Sequence, residues 1–96
     1  MAELEMVRRF AGVDPDADPA KPSQNTIVLQ ACLSAAVEWF EKAGVPQTES
    51  PLYDLWVANL AAWFYDNRGN ADAGANIPDY IVKSVHQLRP VGGARR

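Results

Sequence analysis

Glycines and prolines divide this sequence into four segments whose apolar residues recur with helical spacing. A glycine follows each of the first three segments (Gly12, Gly44 and Gly69), and a proline opens the last two (Pro51 and Pro78). Glycine just past a helix end and proline in a first turn are the usual helical positions of these residues. No stretch alternates polar and apolar residues as a half-buried strand does. The sequence therefore predicts an all-α fold, a small bundle of about four helices.

The apolar spacing predicts helices over residues 2–11, 51–68 and 78–89, and a further helix that starts at Ser23 or Asn25, both good caps, and ends at residue 43. At the end of the second helix, Gly44 and Val45 predict a Schellman motif, with Val45 packed on Phe40. The third helix is apolar on most sides, so we expect it to be central or shared between subunits. Leu4, Val7 and Phe10 lie on neighbouring turns of the first helix. The faces expected to be buried comprise Leu29, Cys32, Leu33, Ala36, Val37 and Phe40; and Ile81, Val82, Val85 and Leu88.

The stretch 12–22 is predicted to be a loop, because its three prolines are incompatible with regular structure. Its alternating aspartates resemble the start of a calcium loop. However, Pro19 occupies the place of the required glycine and Asn25 that of the closing glutamate, so we expect no metal. Residues 1–90 are expected to form one helical domain, and residues 91–96 a basic, mobile tail.

The net charge of −3 is unevenly distributed. Up to Asp79 the chain carries twelve acidic and five basic side chains, and from Tyr80 onward it carries four basic and no acidic ones. An acidic body is a poor duplex-binding surface, whereas a basic end can dock on a partner. No apolar run reaches the ~20 residues that a bilayer span needs, so we expect no membrane contact. Residues 1–5 lack the features of a signal peptide, which predicts synthesis in a reducing cytoplasm.

The sequence offers little for catalysis. Its single histidine, His86, is expected to lie partly exposed on the last helix, and its single cysteine, Cys32, to be a small buried hydrophobe. There is no spacing typical of a zinc site and no glycine-rich phosphate loop. We therefore expect a protein that is not an enzyme and that binds no cofactor.

Three Trp, three Tyr and three Phe are a large aromatic content for 96 residues. A domain of this size has a small interior, which predicts that another chain covers part of its apolar surface. The alternative is a small DNA-binding regulator, with residues 51–68 as the recognition helix of a helix-turn-helix. That helix carries only one basic residue, Arg68, whereas helices that read DNA present several polar and basic side chains.

Several motifs, taken in order, resemble one known family. The aromatic segment 63–69 is followed by a short loop, by Ile-Pro-Asp at 77–79 and by Gln-Leu-Arg at 87–89; upstream, 35–40 reads Ala-Ala-Val-Glu-Trp-Phe. Together these resemble the head–tail connector (adaptor) proteins of tailed bacteriophages, over most of the chain. The proline-rich segment before residue 23 and Pro90 in place of a glycine depart from the family pattern.

The resemblance implies a structural protein of the virion neck, made in the host cytoplasm. Such proteins form a homo-oligomeric ring under the portal protein and above a neck or tail-completion protein. Genomic DNA passes through the ring with at most weak, nonspecific contact. The residues expected to contact another subunit or the portal are Trp39, Trp56, Trp63, Tyr65, Asn67, Arg68, Ile77, Pro78, Gln87, Leu88, Arg89, Arg95 and Arg96. Alternatively, Trp63 and Phe64 are ordinary core, Asn67 and Arg68 form a helix cap, and Ile77 and Pro78 start a helix.

Overall fold

The computed structural model describes residues 4–18, 20–68 and 76–88. These ranges contain four helices and no strand: α1 (Leu4–Ala11), α2 (Gln24–Lys42), α3 (Pro51–Asp66) and α4 (Asp79–Leu88). The predicted all-α fold and the proline-rich loop after the first helix are confirmed. The predicted start of the first helix at residue 2, Arg89, Pro90 and the tail 91–96 lie outside the described residues.

Schellman motifs end both α1 and α2. The N–H of Val45 donates to the Phe40 carbonyl oxygen at 2.8 Å, and the N–H of Gly44 donates to that of Glu41 at 3.0 Å. At the end of α1, the N–H of Val13 donates to the Arg8 carbonyl oxygen at 3.0 Å, and the N–H of Gly12 donates to that of Arg9 at 3.3 Å. Both motifs need a residue with a positive φ, which is 72° at Gly12 and 95° at Gly44. The motif predicted for α2 is confirmed, and Val45 and Phe40 are buried in the same core.

We expect Gly12→Ala to lower the free energy of unfolding by about 1–2 kcal/mol, the cost of placing a Cβ in the left-handed region. A Cβ at Gly12 would meet no atom within 4 Å, so the loss comes from the backbone rather than from a clash. Urea denaturation measures it. Gly12→Asn is the control and should lose less, because asparagine tolerates a positive φ. Equal losses for the two variants would contradict this explanation.

Two helix ends differ from the prediction. The third helix ends at Asp66 rather than at residue 68, because Asn67 leaves the helical region (φ −111°, ψ 20°) and caps the helix. The fourth begins at Asp79 rather than at Pro78. The carbonyl of Pro78 accepts the first helical bonds, from Ile81 at 3.0 Å and Val82 at 3.2 Å, so the proline precedes the helix.

Helix α3 is the centre of the fold, as its apolar sequence predicted, because it contacts each of the other three helices. One side of α3 carries the buried residues Tyr53, Val57 and Leu60, which pack into a single core. The largest fully buried apolar side chains are Tyr53, Phe40, Leu29, Leu60, Ile81, Val7, Val45 and Val57.

Val82 was expected to be buried, and this prediction is wrong; Phe10, which shares the apolar spacing of Leu4 and Val7, is also exposed. Phe10 is 42% exposed and Val82 is 41% exposed. On α4, the inward positions belong to Ile81, Ser84 and Val85. Val82 lies about 100° around the helix from Ile81, outside that face. Ser84 can be buried because its hydroxyl donates to the Ile81 carbonyl oxygen within the same helix.

Candidate interaction surface

The side of α3 opposite its buried residues forms a continuous surface, which we call the outer face: Leu52, Leu55, Trp56, Asn59, Trp63 and Asp66. Each of these positions has another three or four residues away, so together they line one side of the helix. Leu52 and Leu55 are each 41% exposed, and the two tryptophans are half-buried. The outer face is thus mainly apolar.

Aromatic residues from the neighbouring helices extend the outer face. Tyr80 of α4 is 57% exposed, and its ring centroid lies 6.2 Å from that of Trp56. Phe10 of α1 borders a groove with Trp63 and Tyr80. Phe10 is more exposed than its helical spacing suggested, and Tyr80 had no predicted role. Both therefore lie beside the outer face of α3.

The three tryptophans have different positions. All three are half-buried and pack against the core, which fits the alternative interpretation of Trp63 as ordinary core. The exposed parts of Trp56 and Trp63 both lie on the outer face. Trp39 lies on α2 and packs its ring edge-on against Phe40, with centroids 5.0 Å apart. The structure therefore brings two of the three predicted interface tryptophans onto one surface and places the third elsewhere.

The predicted motif at residues 65–68 is engaged within its own helix end. Tyr65 is buried, at 7% exposure. The Asn67 side-chain amide donates to the Trp63 carbonyl oxygen at 2.9 Å, and Arg68 Nη1 donates to that of Tyr65 at 2.6 Å. The Arg68 guanidinium also lies over the Tyr65 ring, 4.2 Å from its centroid. This arrangement fits the alternative interpretation of Asn67 and Arg68 as a helix cap.

The remaining predicted contact residues are on or near α4. Ile77 and Pro78 are half-buried immediately before the helix, Gln87 is exposed and Leu88 is half-buried at its end. Ile77 and Leu88 pack against the core. Arg89, Arg95 and Arg96 lie outside the described residues.

A buried arginine that the sequence did not single out holds the proline-rich loop. Arg8, only 7% exposed, donates to Thr26 Oγ1 at 3.0 Å and to the Asp14 carbonyl oxygen at 3.3 Å. The Thr26 hydroxyl donates in turn to Asp16 Oδ2 at 2.8 Å. Glu5 pairs with Arg8 Nε at 3.3 Å. These bonds fasten the loop to α1 and to the start of α2. The only sequence signal was the pair of adjacent arginines at residues 8 and 9.

We expect the Asp16 contact to contribute stability only above acidic pH. Hydrogen bonds from Thr26 and Ser23 hold the pKa of Asp16 below its ordinary value of 3.8. Because the folded-state pKa is lowered, the contribution is present above that ordinary value and is lost as the pH falls through the folded-state pKa. Asp16→Asn should therefore destabilise the protein relative to wild type near pH 7, and the difference should shrink as the pH is lowered below 3.8. Urea unfolding at a pH above and a pH below this value tests this, and a pH-independent difference would contradict it.

The single cysteine and the single histidine differ in exposure. Cys32 is a free, buried thiol whose pKa is raised by burial, the opposite of what activates a nucleophile. His86 is exposed, as predicted. Within the described ranges, no group of three or more His, Cys, Asp or Glu side chains is arranged to hold a metal ion.

Comparison with protein-family models, with curated proteins and with solved structures found no match for this chain. Among the described helices, none combines the length and the apolar character needed to cross a membrane.

Proposed function

We propose that this chain is a structural subunit of the head–tail connector of a tailed bacteriophage, without catalytic activity. It would assemble as a ring in the virion neck, between the portal protein above and a neck or tail-completion protein below. The proposal is supported by the order of the sequence motifs that resemble this family, and by an apolar surface suited to contact with a second subunit.

The outer face of α3 carries the proposal. Of the six large hydrophobic residues that are exposed in the described ranges, four lie on this face or beside it: Phe10, Leu52, Leu55 and Tyr80. The other sides of α3 are already packed against three helices. A concentrated apolar patch on a small domain is typical of a protein–protein interface, where aromatic residues are enriched.

A closed ring requires a second, different surface on each subunit, because its contacts are heterologous. The outward side of α2 offers one. Ile27 is 53% exposed there and lines a shallow apolar depression with Pro22 and Gln30. The depression shares no residue with the outer face of α3, so the two surfaces use different side chains.

The charge distribution suits a DNA conduit. The chain up to Asp79 has a net charge of −7, which disfavours tight binding to the phosphate backbone. The outer face presents one amide and one carboxylate and no basic side chain. The DNA-binding alternative therefore has no surface on α3 with the arginines, lysines and amides that reading a groove requires.

Removing residues 91–96 should distinguish the connector function from the DNA-binding alternative. We expect the truncated chain to keep its helical circular-dichroism signal but to co-sediment less with purified portal protein. Binding of duplex DNA by the full chain should be weak and should fall steeply with salt, since few phosphates are contacted. Tight, sequence-selective DNA binding that is lost on truncation, with portal attachment unchanged, would favour the DNA-binding alternative.

A further inference from the structure

An open groove of 370 Å³ lies where α1, α3 and α4 meet, at the C-terminal half of the outer face. Its walls are Phe10, Asn59, Ala62, Trp63, Asp66 and Tyr80. Three different helices thus each bring an aromatic ring to one place, and a carboxylate stands at the edge. Phe10 and Tyr80 are among the most exposed large apolar side chains of the described residues, at 42% and 57%.

Aromatic rings beside a carboxylate are suited to an arginine side chain. The guanidinium stacks on an aromatic face and forms charge-assisted hydrogen bonds with a carboxylate. Arg68 shows the first of these contacts within this chain, with its guanidinium over the Tyr65 ring. Asp66 is exposed at the groove and has no ion-pair partner among the described residues. An acidic segment would be repelled there.

We propose that this groove binds the C-terminal segment of a second copy of the chain, residues 89–96. That segment reads Arg-Pro-Val-Gly-Gly-Ala-Arg-Arg, with three arginines and no acid. Arginine supplies a positive charge to pair with the Asp66 carboxylate, and Pro90 and Val91 supply apolar surface for the rings. The inference rests on the proposed self-association. It joins a groove on one copy to the C-terminal segment of another, so the two subunits of a pair use different surfaces.

The length of the segment allows this contact. Eight residues can span up to about 28 Å, which exceeds the ~15 Å length of the ten-residue helix α4 from which they continue. The groove lies at Tyr80, near the start of α4, and the segment follows the end of that helix, so this length is enough to reach back to its own groove as well as outward to a neighbour's. The assignment to a second copy rests on the proposed self-association, and a peptide titration separates the two cases. A groove in one copy that accepts the end of another is a heterologous contact, which continues from subunit to subunit until a ring closes.

Charge reversal tests the pairing in the full chain. The groove variant is Asp66→Lys, the tail variant is Arg95→Glu with Arg96→Glu, and the combined variant carries all three changes. By analytical ultracentrifugation, each of the first two should associate at least about tenfold more weakly than wild type, and the combined variant should recover. The matched control is Glu49→Lys, the same charge change at an exposed position outside the groove, which should behave as wild type.

A peptide titration tests the groove independently of the ring. A synthetic peptide of residues 88–96 should bind the tail variant, change its tryptophan fluorescence and lose affinity as salt is raised. The same peptide should bind the groove variant at least about tenfold more weakly.

The outcomes separate the two proposals. If wild type self-associates and both charge variants match it, the groove–tail contact is wrong and the ring stands. If wild type stays monomeric and the peptide binds the tail variant but not wild type, the segment occupies its own groove, and the second-copy assignment is wrong. Absence of peptide binding to the tail variant also overturns the proposal.

Discussion

Replacing Leu52 and Leu55 together by Glu should raise the dissociation constant of self-association by at least about 100-fold, because the substitutions remove two apolar side chains from the interface and bury two unpaired charges in their place. Both side chains are 41% exposed in the single chain, so the substitutions remove little from its core. In the assembly, however, they would place two carboxylates in an apolar contact, where an unpaired charge is costly. Sedimentation equilibrium across a concentration series measures the change.

Val82→Glu is the matched control for this experiment. Val82 has the same 41% exposure but lies on α4, away from the outer face. We expect it to associate as wild type does, and all variants to keep the wild-type melting temperature within a few degrees. The outer face would lose its assigned role if the double variant assembled normally, or if Val82→Glu were equally damaging.

Phe40→Ala should cost about 3–5 kcal/mol of unfolding free energy, as large-to-small changes of a buried phenylalanine do. Phe40 is fully buried, its ring centroid lies 6.3 Å from that of Tyr53, and its carbonyl accepts the bond that closes α2. Small domains are stable by only roughly 5–15 kcal/mol, so this variant should be partly unfolded at physiological temperature. Urea denaturation at low temperature gives the value.

Trp39→Ala provides the comparison, because it removes a larger aromatic ring from the next position of the same helix. Trp39 is half-buried and packs against the edge of the Phe40 ring. Its loss should therefore cost less than half as much. If Trp39→Ala destabilises the protein as much as Phe40→Ala does, Trp39 belongs to the core, and its predicted role in subunit contact is unsupported.

The helices could be predicted from the sequence because their signals are local. Gly44 followed by Val45 determines how α2 ends, and the apolar spacing from Leu29 to Phe40 identifies the face that is buried. The central place of α3 followed from its apolar residues on nearly all sides. These features depend on residues close in sequence, so they required no knowledge of how the helices pack.

The positions that the sequence did not predict depend on packing between helices. Phe10 fits the apolar spacing of α1 but stays exposed, while Arg8 turns inward to reach Thr26, eighteen residues further along the chain. Helical spacing within α1 cannot reveal which of its side chains will find such a distant partner. For the same reason, the sequence identified Trp56 and Trp63 as candidates but not the groove that Trp63 forms with Phe10 and Tyr80.

The most direct test of the proposed function is the mass of the purified protein in solution, measured by sedimentation velocity alone and in the presence of portal protein. One chain has a mass of 10.5 kDa. We expect a closed oligomer of many times this mass, formed either alone at high concentration or on the portal, and disrupted by Glu at positions 52 and 55. A species that remains at 10.5 kDa under both conditions and does not bind the portal would contradict the connector proposal.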